Sequence, residues 1–137
     1  MLKKILVPID GTEYSWRALD YATALVSLSG GELVIMTVSR NNFQPVYHID
    51  GDCLVPQIGN EVLDAARAVM HGKNIDCIYL MENSSKVTES ILEAAEKEHC
   101  DGIVLGSRGL GVVEGLLRSS VSQVIAEEAT VPVTIVK

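Results

Sequence analysis

The chain has 137 residues, 47% of them apolar and 21% charged, a length that gives a core to one domain but not comfortably to two. Its formal charge of −7, without any cluster of lysine or arginine, argues against a nucleic-acid partner, because phosphate backbones are bound by basic side chains. No apolar run approaches the roughly 20 residues that span a bilayer, so we expect no membrane segment. We therefore expect one globular domain over residues 1–137.

Short β-branched runs alternate with longer runs of helical period, which is typical of a parallel sheet covered by helices. The predicted strands are residues 3–9, 32–38, 75–81, 101–106 and 131–137. The predicted helices are residues 15–29, 58–69, 84–99 and 121–129, with the Gly30–Gly31 pair ending the first and serines starting the third. The order predicts a doubly wound, Rossmann-like α/β fold whose five-stranded parallel sheet has the order 3-2-1-4-5.

Residues 39–57 have no period, and so long a loop is usually functional or mobile. Within it, YHIDGDC (47–53) gathers a histidine, two aspartates and a cysteine that could hold a metal, although a solvated polar loop is the favoured interpretation. The cysteines, Cys53, Cys77 and Cys100, form no CxxC pair. Separated free thiols suit a reducing compartment, so we expect a cytoplasmic protein.

The last predicted strand contains Pro132, which has no N–H to give to a neighbouring strand. We therefore expect this strand at an edge of the sheet. A bare apolar edge invites pairing with another chain, which predicts a homodimer through residues 131–137. A monomer with a short, protected edge is the alternative.

The segment GSRGLGVVEGLLRSSVSQV (106–124) has four glycines within its first ten residues, and serines where the last helix begins. A Walker A loop is excluded because valines stand where that motif has Lys-Ser/Thr. A dinucleotide fingerprint is disfavoured because it belongs after the first strand. The N–H groups at the start of a helix bind phosphate without a basic side chain, and this leaves a phosphate site compatible with the negative net charge.

The predicted strand order places this segment beside the end of the first strand. The carboxyl ends of the first and fourth strands are neighbours, so PIDG (8–11) and GSRG (106–109) would face each other across one cleft. A nucleotide site is the favoured interpretation. The alternative is a flexible connection followed by a capping box from Ser120 to Gln123.

With these motifs the chain resembles the universal stress protein A family over essentially its full length. The resemblance is carried by ILVPIDGTEYSWRALDYA, LGSRGLGVVEGLLRSSVSQVI and the closing VPVTIVK. ATP-binding members of that family share the pattern G-x2-G-x9-G-[ST]. The chain matches it from Gly106 to Ser120, except that Ser119 stands where the pattern has glycine.

The resemblance implies an adenine nucleotide, ATP or AMP, optionally with Mg²⁺, at the carboxyl ends of the first and fourth strands. It puts Asp10 by the ribose or a phosphate-bound metal, and the backbone of Val38 by the adenine. The other implied contacts are Pro8, Ile9, Gly106, Arg108, Gly109, Ser119, Ser120, Val121 and Ser122. It also implies dimers through the last strand.

No spacing in the chain indicates a catalytic set, and the resemblance implies a stress-response or regulatory module that acts through ligand-dependent conformation or partner choice. A dimeric interaction module of the same fold without nucleotide is one alternative, for which Ser119 is the evidence. If position 119 needs a positive φ, serine costs roughly 1–2 kcal/mol there. A slow Mg²⁺-dependent ATPase that uses Asp10 is the other alternative.

Overall fold

The computed structural model describes residues 2–39, 46–47, 53–54, 57–107 and 120–137. Its strands are β1 (Lys4–Pro8), β2 (Glu32–Ser39), β3 (Val46–Tyr47), β4 (Cys53–Leu54), β5 (Cys77–Asn83), β6 (Gly102–Gly106) and β7 (Val133–Val136). Its helices are α1 (Glu13–Ser29), α2 (Gln57–Met70), α3 (Val87–Lys97) and α4 (Ser120–Glu128). All nine predicted elements are present, and β3 and β4 form an antiparallel pair that the aperiodic sequence did not predict.

The main sheet has five strands in the order β5-β2-β1-β6-β7, and every pairing in it is parallel. Counting only the strands of this sheet along the chain, the order is 3-2-1-4-5, which confirms the predicted fold. The central strand β1 has β2 on one side and β6 on the other. The chain therefore changes winding direction between β1 and β6, where doubly wound proteins form a crevice.

Each face of the sheet has its own apolar core, because successive side chains of a strand point to opposite faces. Ile5, Val7 and Ile9 pack with α1 and α2 on one face. Leu6 packs with α3 and α4 on the other. The buried strands therefore read as continuous apolar runs, as expected for a parallel sheet covered on both sides. Across the described ranges, no helix is both long enough and apolar enough to cross a membrane.

Helices α1 and α3 both end in a left-handed residue, but only one of these residues is glycine. Gly30 follows α1 with φ 71°, and its N–H donates to the Val26 carbonyl at 2.9 Å. After α3, His99 has φ 55° and its N–H donates to the Glu96 carbonyl, while the Cys100 N–H donates to Ala95. These two bonds form a Schellman turn, in which a side chain on the left-handed residue is unfavourable.

All nine predicted elements differ from the structure by one to three residues at one or both ends, and three of these differences have a local cause. Helix α1 begins at Glu13, two residues early, because the Thr12 hydroxyl caps it. Strand β5 runs two residues later than predicted, since Asn74 is still in a left-handed turn. Helix α3 begins at Val87, three residues later than predicted. Its N-cap is Lys86, which makes no side-chain cap bond, and the Ser84 hydroxyl accepts a hydrogen bond from the Lys86 N–H.

Substitutions at these two helix ends are expected to change the free energy of unfolding in opposite directions. His99→Gly is expected to raise the free energy of unfolding by about 0.5–1 kcal/mol, because glycine adopts the left-handed conformation without steric cost. Gly30→Ala is expected to lower it by about 1 kcal/mol. A Cβ at position 30 has nothing within 4 Å, so conformation alone sets this cost. Urea unfolding measures both values, and a loss of stability in His99→Gly would contradict the argument.

Candidate functional site

Asp10 lies just beyond β1 and organises the turn into α1. Its Oδ1 accepts hydrogen bonds from the Thr12 N–H at 2.9 Å and the Thr12 hydroxyl at 2.6 Å. Thr12 in turn accepts from the Ser15 N–H, and Trp16 Nε1 donates to the Gly11 carbonyl at 3.1 Å. The Asp10 carboxylate is therefore held through one oxygen. Among the described residues, nothing donates a hydrogen bond to its Oδ2, which leaves that oxygen available to a ligand.

Strand register brings Asp10 level with the predicted adenine contact on β2. Lys4 lies opposite Glu32 and Pro8 opposite Met36, and the Ile9 N–H continues the ladder to the Met36 carbonyl at 2.7 Å. The same register puts Asp10 level with Val38. Val38 is half-buried, and its side chain packs on the face of the sheet covered by α3 and α4. Its backbone is thus the part of the residue best placed for recognition at the sheet edge.

Gly106 ends β6 at the same edge of the sheet, and β6 pairs with β1 in a register that puts Gly106 level with Ile9. The resemblance implies that this glycine contacts the nucleotide. The structure adds a packing reason. A Cβ at position 106 would lie 2.8 Å from both the carbonyl carbon and the carbonyl oxygen of Tyr14, in the first turn of α1. The start of α1 thus rests directly on the backbone of β6.

Helix α4 begins at Ser120, near the start of α3. Val121 and Ser122 are buried, and the Val121 side chain belongs to the core between α3, α4 and the sheet. Val121 can therefore offer a ligand only its backbone N–H. The capping-box alternative places Ser120 at the N-cap, which is within one residue of the observed start of α4.

A cavity of about 280 Å³ opens between the starts of α3 and α4. Val121 and Thr88 line it, and so does Lys86, whose ammonium lies 3.8 Å from the Glu89 carboxylate. Lys86 was not predicted as a site residue. No sequence motif marks Lys86 as a site residue. Only the packing of α3 beside α4 brings its side chain to this cavity.

Three predicted contacts, Arg108, Gly109 and Ser119, lie outside the described residues, as do the histidine and aspartates of the 47–53 segment. Within the described ranges, no group of three histidine, cysteine, aspartate or glutamate side chains could hold a metal ion. Pro8, Ile9, Asp10, Val38 and Gly106 come together at the carboxyl edge of β1, β2 and β6. Ser120, Val121 and Ser122 form the first turn of α4.

The chain is thus an open, doubly wound α/β protein with a polar turn and a glycine at the switch point of its parallel sheet. The model of the Universal stress protein family matches residues 1–137, and the chain belongs to this family. It is 32% identical over 149 residues to Universal stress protein YxiE of Bacillus subtilis, over the full length of both chains. It is 31% identical over 143 residues to a universal stress protein of Thermus aquaticus, again over both full lengths.

Solved structures share the fold. A universal stress protein family member from Burkholderia pseudomallei superposes with a TM-score of 0.74 at 25% identity, over 98% of this chain and 96% of that one. A universal stress protein from Archaeoglobus fulgidus in complex with dAMP gives 0.71 at 19% identity over both full chains. One from Arabidopsis thaliana with AMP bound gives 0.69 at 16% identity, over 98% of this chain and 91% of that one.

The contact between Gly106 and Tyr14 predicts a stability loss that needs no ligand. Gly106→Ala is expected to lower the free energy of unfolding by about 1–3 kcal/mol, because the new methyl group overlaps α1 backbone. Gly102→Ala on the same strand is the matched control, since its Cβ meets only ordinary contacts at 3.6–3.9 Å. Its stability should change by less than about 1 kcal/mol. Equal losses in urea unfolding would show that the Tyr14 contact is not the cause.

Proposed function

We propose that this chain binds an adenine nucleotide, ATP or AMP, in the crevice at the carboxyl ends of β1 and β6. The ligand would change the conformation or the partner choice of the protein rather than be turned over. One observation carries the proposal: strand register aligns Asp10 with Val38 and Ile9 with Gly106 at the switch point, where such sheets bind ligands. We propose that residues 1–137 act as one domain in doing so.

Each part of the nucleotide has a matching group on this edge. Asp10 Oδ2, which accepts no hydrogen bond from the part of the chain that the structure describes, suits a ribose hydroxyl, or a Mg²⁺ ion that bridges to phosphate oxygens. The extended backbone at Val38 suits the hydrogen-bonding edge of adenine. The N–H groups of Ser120, Val121 and Ser122, at the positive end of α4, suit phosphate. From the sequence pattern we add Arg108, Gly109 and Ser119 to the phosphate contacts, and Pro8 and Ile9 to the crevice wall.

Two further considerations support the proposal. Fixed backbone dipoles attract phosphate locally, so the net charge of −7 does not prevent binding. Proteins of this fold are described in complexes with dAMP and AMP, and the fold therefore accommodates adenine nucleotides. The free thiols Cys77 and Cys100 support a cytoplasmic setting, where reduced cysteines persist and nucleotides are available.

The first experiment asks whether nucleotide is present and whether it binds. Mass spectrometry of small molecules released from the purified, denatured protein is expected to detect an adenine nucleotide, and calorimetry is expected to give saturable binding of ATP or AMP. Protein free of nucleotide that binds neither ligand at millimolar concentration would overturn the proposal. That result would favour the interaction module without nucleotide.

Asp10→Asn tests the proposed role of the free carboxylate oxygen. Asparagine keeps an oxygen that can accept the Thr12 hydrogen bonds, so the turn should remain. It removes the charge that strengthens a bond to the ribose or Mg²⁺, and nucleotide affinity is expected to fall about tenfold. Glu13→Gln is the matched control, because Glu13 is an exposed neighbouring carboxylate that pairs with Arg17. Equal calorimetric affinities in the two variants would contradict the assignment.

We propose further that two copies pair through β7. This strand is at one edge of the described sheet, as predicted, and Pro132 lies directly before it rather than within it. Its side chains are half-buried in the single chain, and Ile135 is 41% exposed. An apolar parallel-sheet edge left in water is a liability that pairing with a second copy removes.

Light scattering measures the solution mass that this pairing predicts. The wild-type protein is expected to be a dimer, and Ile135→Lys a monomer, because pairing would bury an unpaired ammonium. Val69→Lys is the matched control, since Val69 is 48% exposed on α2, which packs over β2 and β5 rather than β7. A monomeric wild type, or dissociation in both variants, would contradict the β7 interface.

A further inference from the structure

A second cavity, of about 340 Å³, lies at the amino edge of the sheet, at the opposite end of β6 from the proposed nucleotide crevice. It forms where α3 ends, β6 begins and α4 gives way to β7. The five residues of β6 separate the two edges by about 13 Å. The cavity is therefore a feature distinct from the crevice and is enclosed by different residues.

The inner surface of this cavity is apolar. Ala95, Cys100 and Ile103 form its floor and are 7%, 6% and 1% exposed. Burial raises the pKa of the Cys100 thiol to about 11, so this side chain stays neutral and behaves as a small apolar group. The walls are apolar as well: Leu92, Ala129 and Val131. Such a surface favours the apolar part of a ligand, because contact with it releases water from both.

The rim of the same cavity is acidic. Glu96 and Glu128 line it with exposed carboxylates, and neither side chain has an ion-pair partner among the described residues. The described lining includes no lysine or arginine. Thr130 and His99, the left-handed residue of the Schellman turn, complete the rim.

Helix polarity adds to this negative charge. Both α3 and α4 end at the cavity, and the carbonyl groups at a helix C-terminus carry partial negative charge. The last turn of α4 has no basic residue to offset it, and Lys97 in the last turn of α3 does not line the cavity. An apolar floor thus lies beneath a rim at which carboxylates and helix carbonyls all favour a positive charge.

We propose that this cavity binds a small organic cation of the alkylammonium class, with the apolar chain on the floor and the ammonium between the Glu96 and Glu128 carboxylates. Charge complementarity selects the cation over a neutral or anionic compound with the same chain. The volume is at the small end of ligand cavities, which suits a compact alkylammonium. The site is independent of the nucleotide crevice, so either proposal can fail without the other.

Titration of the ¹⁵N-labelled protein with n-hexylammonium, followed by amide chemical shifts, tests the site. We expect saturable shifts at Ala95, Cys100 and Ala129 with a Kd on the order of 1 mM, the affinity reasonable for so few atoms. n-Hexanol and hexanoate carry the same chain with no charge or a negative charge, and both should bind at least several-fold more weakly. Equal binding of n-hexanol, or no saturable shift at these residues, would overturn the proposal.

Neighbouring glutamates supply matched charge controls. Glu128→Gln is expected to weaken n-hexylammonium binding about two- to fivefold, as is Glu96→Gln. Glu127→Gln and Glu93→Gln remove the same charge from exposed positions that do not line the cavity, and should leave the Kd nearly unchanged. Equal weakening in all four variants would mean that overall charge, and not this site, attracts the cation. Ala129→Leu should abolish the shifts at Ala95 by filling the cavity, with the amides of β1 and β2 reporting an intact fold.

Discussion

The rest of the structure depends on the hydrogen-bonded pairing of β1 with strands on both of its sides. Its apolar residues are fully buried, and it supplies one core with Ile5 and Val7 and the other with Leu6. Because β2 and β6 both pair in parallel with this strand, their carboxyl ends come to the same edge of the sheet. The crevice is therefore a consequence of sheet formation, and its geometry is fixed by backbone bonds rather than by side chains that can rotate.

The turn after β1 fixes the start of α1 relative to the sheet. The Asp10 carboxylate holds Thr12, Thr12 caps the helix, and the first helical turn then rests on the backbone of Gly106. One carboxylate oxygen has a structural role, while the other accepts no hydrogen bond from the described residues. A side chain anchored in this way loses little rotamer freedom on meeting a ligand, which is the usual benefit of a preorganised site.

Periodicity and turn chemistry predicted the fold because a buried parallel sheet imposes long apolar runs that few other arrangements produce. The same signals did not predict features that depend on a local turn conformation or on the packing of one helix against another. Ile75 extends the apolar run before β5, yet the left-handed turn at Asn74 delays the strand to Cys77. A glycine-based rule for helix ends does not anticipate His99 in the same conformation. Lys86 could not be predicted as a neighbour of α4, since no sequence spacing records how two helices pack side by side.

The contact between Tyr14 and Gly106 changes how the glycine pattern of this family can be used. Glycine at the end of β6 is required by helix packing alone, whatever the crevice holds. In this chain, stability accounts for the glycine whether or not a ligand is bound. The first glycine of G-x2-G-x9-G-[ST] is therefore explained here by the fold without reference to a ligand. The diagnostic value of the motif then rests on its later positions, including position 119, where this chain has serine.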